Sequence, residues 1–365
     1  MLTNHKKMIK CLQRLEKMIG KKIKYYRLKN GLTCEELAKK VGVTKAIISL
    51  YENGEREPND ENCKKISNAL GVSWIQLLSR NNTNLKFVHN SFRKKQRASV
   101  GDIEILKQDI ESKCSDRISI LNILDLTIEK QFKPRKLSLN DDVEINAKKI
   151  RLALGISTNG PIYSVSNVLE HAGIIILSFE CAEDIDGING TVNGIPYIFF
   201  NSNRTIERQR FTMIHEVCHL FFNEPQGEIC EKEFEKYINK LAGNVLIPTD
   251  DIYSIFGKTN RSITFYLRDQ VAKEYKIAVS CLITRLFESG VVTEMYMKKY
   301  FMILNKNGGK KAEKSLLDIY RDSEQPTLFN QQVYLALSEE LISASRAAEY
   351  LHVPLYEVVQ NMRTI

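Results

Sequence analysis

Apolar residues recur at helical spacing through the middle of the chain. Phe234, Ile238, Leu241 and Val245 form one stripe, and Pro248 ends it, so residues 231–247 are expected to be a helix. Residues 211–222 form a second apolar, helix-forming run, Phe-Thr-Met-Ile-His-Glu-Val-Cys-His-Leu-Phe-Phe. Strand signals lie just upstream. Residues 173–179 are nearly all apolar, and residues 188–192 and 195–200 flank Asn193-Gly194, a two-residue hairpin signal. Residues 103–130 have helical spacing and stop at Phe132-Lys-Pro134, and helices are expected again after Pro248.

Near the N-terminus the helices are short and marked by caps. Thr33-Cys-Glu-Glu36 is a capping box, Gly42-Val43 a turn, and Thr44 can cap a helix that ends at Asn53-Gly54. Gly71 ends a later helix and Ser73 caps another. Five short helices with a tight turn between the second and third predict a helix-turn-helix domain.

The run at 211–222 also carries chemistry. His215 and His219 are four apart, so on a helix they share a face and can close on one zinc ion. Glu216 follows the first of them, placed to serve as general base towards a zinc-bound water. A catalytic zinc needs a third protein ligand. Glu235 lies beside the apolar stripe of the next helix, with Glu231 and Glu233 as competitors. Only six histidines occur in the chain, and two are in this pattern. A HExxH helix, a turn through residues 223–227 and a glutamate on a second helix is the layout of gluzincin-type peptidases.

Residues 147–248 resemble the ImmA/IrrE family of zinc metallopeptidases. The landmarks run in order: residues 147–155, 161–162, 168–176, Asp186-Gly-Ile-Asn-Gly190, 198–201, 208–216, Glu235 to Ala242 and Leu246-Ile-Pro248. The resemblance implies His215, His219 and Glu235 as zinc ligands and Glu216 as base. Cys218 stands where the family usually has Gly, and Ile238 where it usually has Ala. Both replacements suit a helix.

Residues 32–58, Leu-Thr-x-Glu-Glu-Leu-Ala through Ile48-Ser-x-Tyr-Glu-Asn-Gly54 to Pro58, resemble the XRE (Cro and lambda-repressor-like) family. That resemblance puts Lys45, Ala46, Ile47 and Leu50, with the capping Thr44, in the DNA-binding set. It turns Ile48 and Tyr51 inward and pairs Arg27 with Glu52. Lys45 can donate to guanine acceptors; the apolar three can contact thymine methyls. Cys34 stands where a phosphate-binding Gln is frequent.

Charge agrees with a DNA reader. Residues 1–100 hold 22 Lys and Arg against 8 Asp and Glu, a net charge of +14, while the whole chain carries +9. The remainder is therefore mildly acidic, which suits a part that does not touch phosphate. The basic tracts at 6–10 and 93–97 read as solvated, the latter as a connector touching the DNA backbone nonspecifically. Residues 342–354 look superficially like another helix-turn-helix, but their acidic surroundings argue against DNA contact.

The longest apolar runs fall far short of the ~18 residues that span a bilayer, so no membrane contact is expected. The charged N-terminus has no signal-peptide pattern, and the eight cysteines show no framework spacing. Both observations favour a cytoplasmic protein with reduced thiols.

The expected fold is α+β and mainly helical. A five-helix reader spans 1–80, a helical connector 81–140, a zincin-like domain with a small antiparallel sheet 141–290, and a helical C-terminal segment 291–365. The expected function is transcriptional regulation of double-stranded operator DNA, as a possible homodimer. A zinc metallo-endopeptidase would cleave a protein substrate, an XRE-type repressor, and so release stress or mobile-element genes. Two alternatives stand beside it. One is a non-catalytic or antitoxin-like regulator whose zinc domain is a sensor or dimerisation module. The other is self-cleavage at residues 93–97.

Overall fold

The computed structural model describes residues 19–74, 77, 85–90, 99–126, 132–182, 184–223, 230–259, 262–309, 313, 315–317 and 324–362. The basic tracts at 6–10 and 93–97, and residues 224–227 of the turn after the HExxH run, lie outside them. The molecule is mainly helical with one four-stranded sheet. It divides into two compact units. One comprises Met1–Leu85 with Arg97–Ser115, and the other Lys86–Gln96 with Asp116–Ile365.

The first unit holds helical residues 19–29, then helices Cys34–Val41, Lys45–Asn53 and Asp60–Leu70. A fifth helix is described only at residues 74 and 77. Local chemistry sets these boundaries. The Glu36 amide donates to Thr33 Oγ1 (3.2 Å), and the Thr33 amide to Glu36 Oε2 (2.7 Å). Gly42, Gly54 and Gly71 each end a helix in the left-handed conformation, where a Cβ is disfavoured. Ile23, Leu37, Ile48, Tyr51 and Ile66 fill the core. Arg27 and Glu52 are buried together. Arg27 Nη2 donates to Glu52 Oε2 at 2.9 Å, and the guanidinium also donates to the Leu32 carbonyl.

The second unit is built on the sheet, in the order β1 (Phe87–His89), β3 (Gly187–Val192), β4 (Ile195–Asn201), β2 (Ile175–Phe179). The β3–β4 hairpin is antiparallel, as expected, and Asn193 and Gly194 turn with φ 50° and 83°. β2 joins β4 in parallel, so the sheet is mixed. β2 lies outside the hairpin, beside its second strand, while β1 lies beside its first. β1 comes from the stretch expected to be a helical connector and pairs antiparallel with β3. Further on, that stretch does form a helix, Val100–Ile123, whose residues fall in both units.

The HExxH helix packs on this sheet, and the helix after it packs on the HExxH helix. The HExxH helix, Ile206–Leu220, is capped by Thr205 and buries Met213, Ile214, Val217 and Cys218. The next helix, Glu231–Leu246, buries Phe234, Ile238, Leu241 and Val245, the stripe read from sequence. Burying each such side chain contributes about 1.5–3 kcal/mol. Ile238, in place of a smaller residue, is fully buried in this core.

Helices Leu328–Ser338, Ala344–Leu351 and Leu355–Asn361 form a separate cluster around Val333, Ala347, Tyr350 and Val358. Its turn matches the first unit's. The Val353 amide donates to the Ala348 carbonyl as the Val43 amide does to Ala38. However, the helix after this turn carries no Lys or Arg. No helix among the described residues is long and apolar enough to cross a membrane.

Candidate functional site

The HExxH helix and its successor bring three ligand-type side chains together. His215 Nε2 and His219 Nε2 are 3.1 Å apart. Glu235 Oε2 is 3.4 Å from His215 Nε2, and Glu235 Oε1 is 3.5 Å from His219 Nε2. They are the metal-type cluster of His, Cys, Asp and Glu found among the described residues. All three are half-buried, which leaves the cluster open on one side. Glu231 and Glu233, the competing candidates, lie exposed in the first turn of their helix, where a negative charge favours the helix end.

The donor set suits zinc. Ligand atoms on a tetrahedral ion with bonds of ~2.0–2.1 Å lie roughly 3.3–3.4 Å apart, close to the three separations seen. A proton could bridge only one pair of these atoms, whereas a cation can satisfy all three. The rings are held by their neighbours, with Phe211 stacked on His215 and Phe234 tilted against His219. Burial raises the Cys218 thiol far above its ordinary range, so it stays protonated. This keeps it a small core group rather than a reactive one.

Glu216 is buried one residue after His215. Its Oε2 accepts a 2.6 Å hydrogen bond from Asn189 Nδ2 on β3. Beside His219 opens a cleft of about 420 Å³. Phe132, Pro134, Phe222 and Phe234 make its apolar walls, with Asn189 and Asn90 on the sheet side. Lys136 closes one rim by donating to the Leu220 and Phe222 carbonyls at the C-terminal end of the HExxH helix.

In the first unit, helix Lys45–Asn53 starts at Thr44, whose Oγ1 accepts from the Ile47 amide at 3.4 Å. Thr44, Lys45 and Ala46 are exposed, and Leu50 is half-buried. Ile47 is also half-buried and packs partly on the core, so it offers a smaller surface than the sequence implied.

Two family models match this chain. Residues 23–77 match a helix-turn-helix model, and residues 170–287 match a peptidase-family model, the IrrE N-terminal-like domain. The HTH-type transcriptional regulator YqaF of Bacillus subtilis, itself uncharacterized, is 40% identical over 57 residues, 16% of this chain and 75% of that protein. An uncharacterized HTH-type regulator of Methanocaldococcus jannaschii is 43% identical over 51 residues, 14% of this chain and 77% of that protein. The chain belongs to the helix-turn-helix regulators. The HTH-type regulator SinR of Bacillus subtilis is 42% identical over 62 residues, 17% of this chain; the match spans 56% of SinR, little more than half its length. All three carry the HTH-type description. The second unit carries the IrrE-like peptidase-family domain, so this helix-turn-helix regulator is a fusion of the two.

Sequence reading missed several residues that hold the site. Asn189 was visible only as part of a landmark, and Asn90 lies at the end of an unexpected strand. Arg210, on the HExxH helix, is fully buried against an equally buried Glu324, 114 residues away. Glu324 Oε2 in turn accepts from the amides of Val165 and Ser166, at a helix start. Arg210 Nη2 also donates to the Ile162 carbonyl at 2.6 Å. Arg210 was visible only as part of the 208–216 landmark, and nothing local pointed to its partner.

Proposed function

We propose that this regulator binds operator DNA through its first unit and acts as a zinc metallo-endopeptidase through its second. The observation that carries the reading is the convergence of His215, His219 and Glu235 beside a buried Glu216, next to an apolar cleft. His215, His219 and Glu235 would hold the zinc. The bound zinc would polarise a scissile carbonyl and lower the pKa of water to about 7. Glu216 would take the proton released as water attacks, and later pass it to the leaving amine. The Asn189 amide would keep the Glu216 carboxylate in place.

The substrate in this reading is an extended protein segment, as in an XRE-type repressor, and its cleavage would free stress or mobile-element genes. Fusion to a DNA reader would raise the local concentration of peptidase near DNA-bound targets. Thr44, Lys45, Ala46, Ile47 and Leu50 would meet the DNA, and two copies would engage paired half-sites.

The test compares zinc-loaded wild type with Glu216→Gln, each incubated with an XRE-type repressor encoded beside the gene. Wild type should cleave it, and Glu216→Gln should not, while both keep zinc and bind DNA. Cleavage that survives in Glu216→Gln would refute the mechanism. Intact repressor with wild type, alongside unchanged promoter binding, would point instead to a non-catalytic regulator.

A further inference from the structure

The segment Asp186-Gly187-Ile188-Asn189-Gly190 has a geometric logic that the metal cluster does not use. Residues 187 and 189 point to one face of β3, towards the HExxH helix. A Cβ on Gly187 would overlap Thr212 Cγ2 of the HExxH helix and lie 2.9 Å from the Phe199 carbonyl oxygen, so glycine lets the helix settle close. Asn189, two residues on, then reaches Glu216. Gly190 does the same on the other side, where a Cβ would lie 2.3 Å from the Val88 carbonyl oxygen and 2.4 Å from the Tyr197 hydroxyl. That brings β1 in tightly. Asn90, at the end of β1, donates its backbone amide to the Asn189 carbonyl (3.1 Å) and its side-chain amide to Asn189 Oδ1 (3.1 Å).

The Asn189 amide is thus fixed in one orientation. Its Nδ2 donates to Glu216 Oε2 at 2.6 Å while its Oδ1 accepts from Asn90 Nδ2, so each end of the amide has a partner. Asn189 is 2% exposed, and water therefore offers little substitute for either bond.

We infer that Asn189 is a positioning residue for Glu216, and that Asn90 holds Asn189, so the strand at the start of the second unit sets the carboxylate. The inference rests on the role of Glu216 proposed above. It also gives β1 a task beyond completing a sheet.

The experiment uses the full-length, zinc-loaded chain as wild type, Asn189→Asp, Asn189→Leu and Asn90→Ala. Asn189→Asp keeps shape but puts an acceptor where Glu216 needs a donor. Three readouts are taken: zinc stoichiometry, the crystallographic position of the Glu216 carboxylate, and kcat and KM on an internally quenched peptide. Zinc should stay bound in all variants. In both Asn189 variants the Glu216 carboxylate should leave its wild-type position, and kcat should fall about 10- to 100-fold with KM little changed. Asn90→Ala should shift both readouts the same way by less. An unmoved Glu216 in Asn189→Leu, or in Asn90→Ala should the buried variants fail to fold, overturns the inference. So does an unchanged kcat in Asn189→Asp. Lack of cleavage by wild type would remove the peptidase reading alone, because the Glu216 position still decides this one.

Discussion

Glu235 Oε2 lies 3.4 Å from His215 Nε2, although the two residues sit on separate helices and enter the site from different directions. A shared zinc, as proposed, would account for a carboxylate and two imidazoles converging. Purified wild type should carry near-stoichiometric zinc by elemental analysis, and Glu235→Ala should lose most of it. Stripping the metal with a chelator should lower the melting temperature. Zinc at a hundredfold excess over its Kd stabilises by about 2.7 kcal/mol. Wild type that stays metal-free even when zinc is supplied would end this reading.

The approach of the HExxH helix to β3 depends on a missing side chain. At Gly187 a Cβ would lie 2.2 Å from Thr212 Cγ2 and 2.9 Å from the Phe199 carbonyl oxygen. Backbone cannot step aside as a flexible side chain can. Gly187→Ala should therefore destabilise the protein by about 1–3 kcal/mol and weaken zinc binding along with it. Urea unfolding and zinc content measure both effects; an unchanged midpoint would show that the helix has room.

The Arg27–Glu52 pair makes a prediction about the reader alone. Both side chains are buried, and Cys34 Sγ also approaches Glu52 Oε2, at 3.7 Å. Removing only the arginine strands a carboxylate, so Arg27→Met should cost about 3–5 kcal/mol. The double variant Arg27→Met with Glu52→Leu should recover much of that loss. Trp74, the single tryptophan, packs on the same core and reports this unit's unfolding by fluorescence. Equal losses in the single and double variants would refute the argument.

Lys45 is the cationic member of the expected DNA-facing set and is exposed. Lys45→Ala should weaken operator binding by about 1–3 kcal/mol and flatten preference at one base position if the contact is to guanine. A phosphate contact would instead weaken all sequences alike and lower the salt dependence by about one ion. Titration of labelled operator at several salt concentrations distinguishes these outcomes, and unchanged affinity would take Lys45 out of the interface.

What was legible in the sequence was local. The capping box at Thr33 and Glu36, the turn at Gly42 and the Asn193-Gly194 hairpin each involve residues a few positions apart. Their backbone bonds form wherever the chain folds. His215 and His219 belong to this class, because one helical turn places them together. The Phe234–Val245 stripe also named its own buried face. These signals sufficed for the helix-turn-helix and for the two histidines, and the stripe put Glu235 beside the buried face of its helix.

The apolar stripe and the family resemblance already favoured Glu235 over Glu231 and Glu233, but the meeting itself took the packing of two helices. Glu235 is half-buried beside the histidines, while the other two lie exposed in the first turn. β1 was invisible for a related reason: three residues are too few for an alternating pattern, and the strand exists because β3 has an edge to pair. Asn90 at Asn189 and Glu324 at Arg210 join residues about a hundred positions apart. The sequence by itself determined which turns and faces each segment prefers, because those are properties of neighbouring residues. Tertiary structure decided how Glu235 reaches the histidines across two helices and which amide meets Glu216, because burial and hydrogen bonding between distant segments arise only once the core has closed.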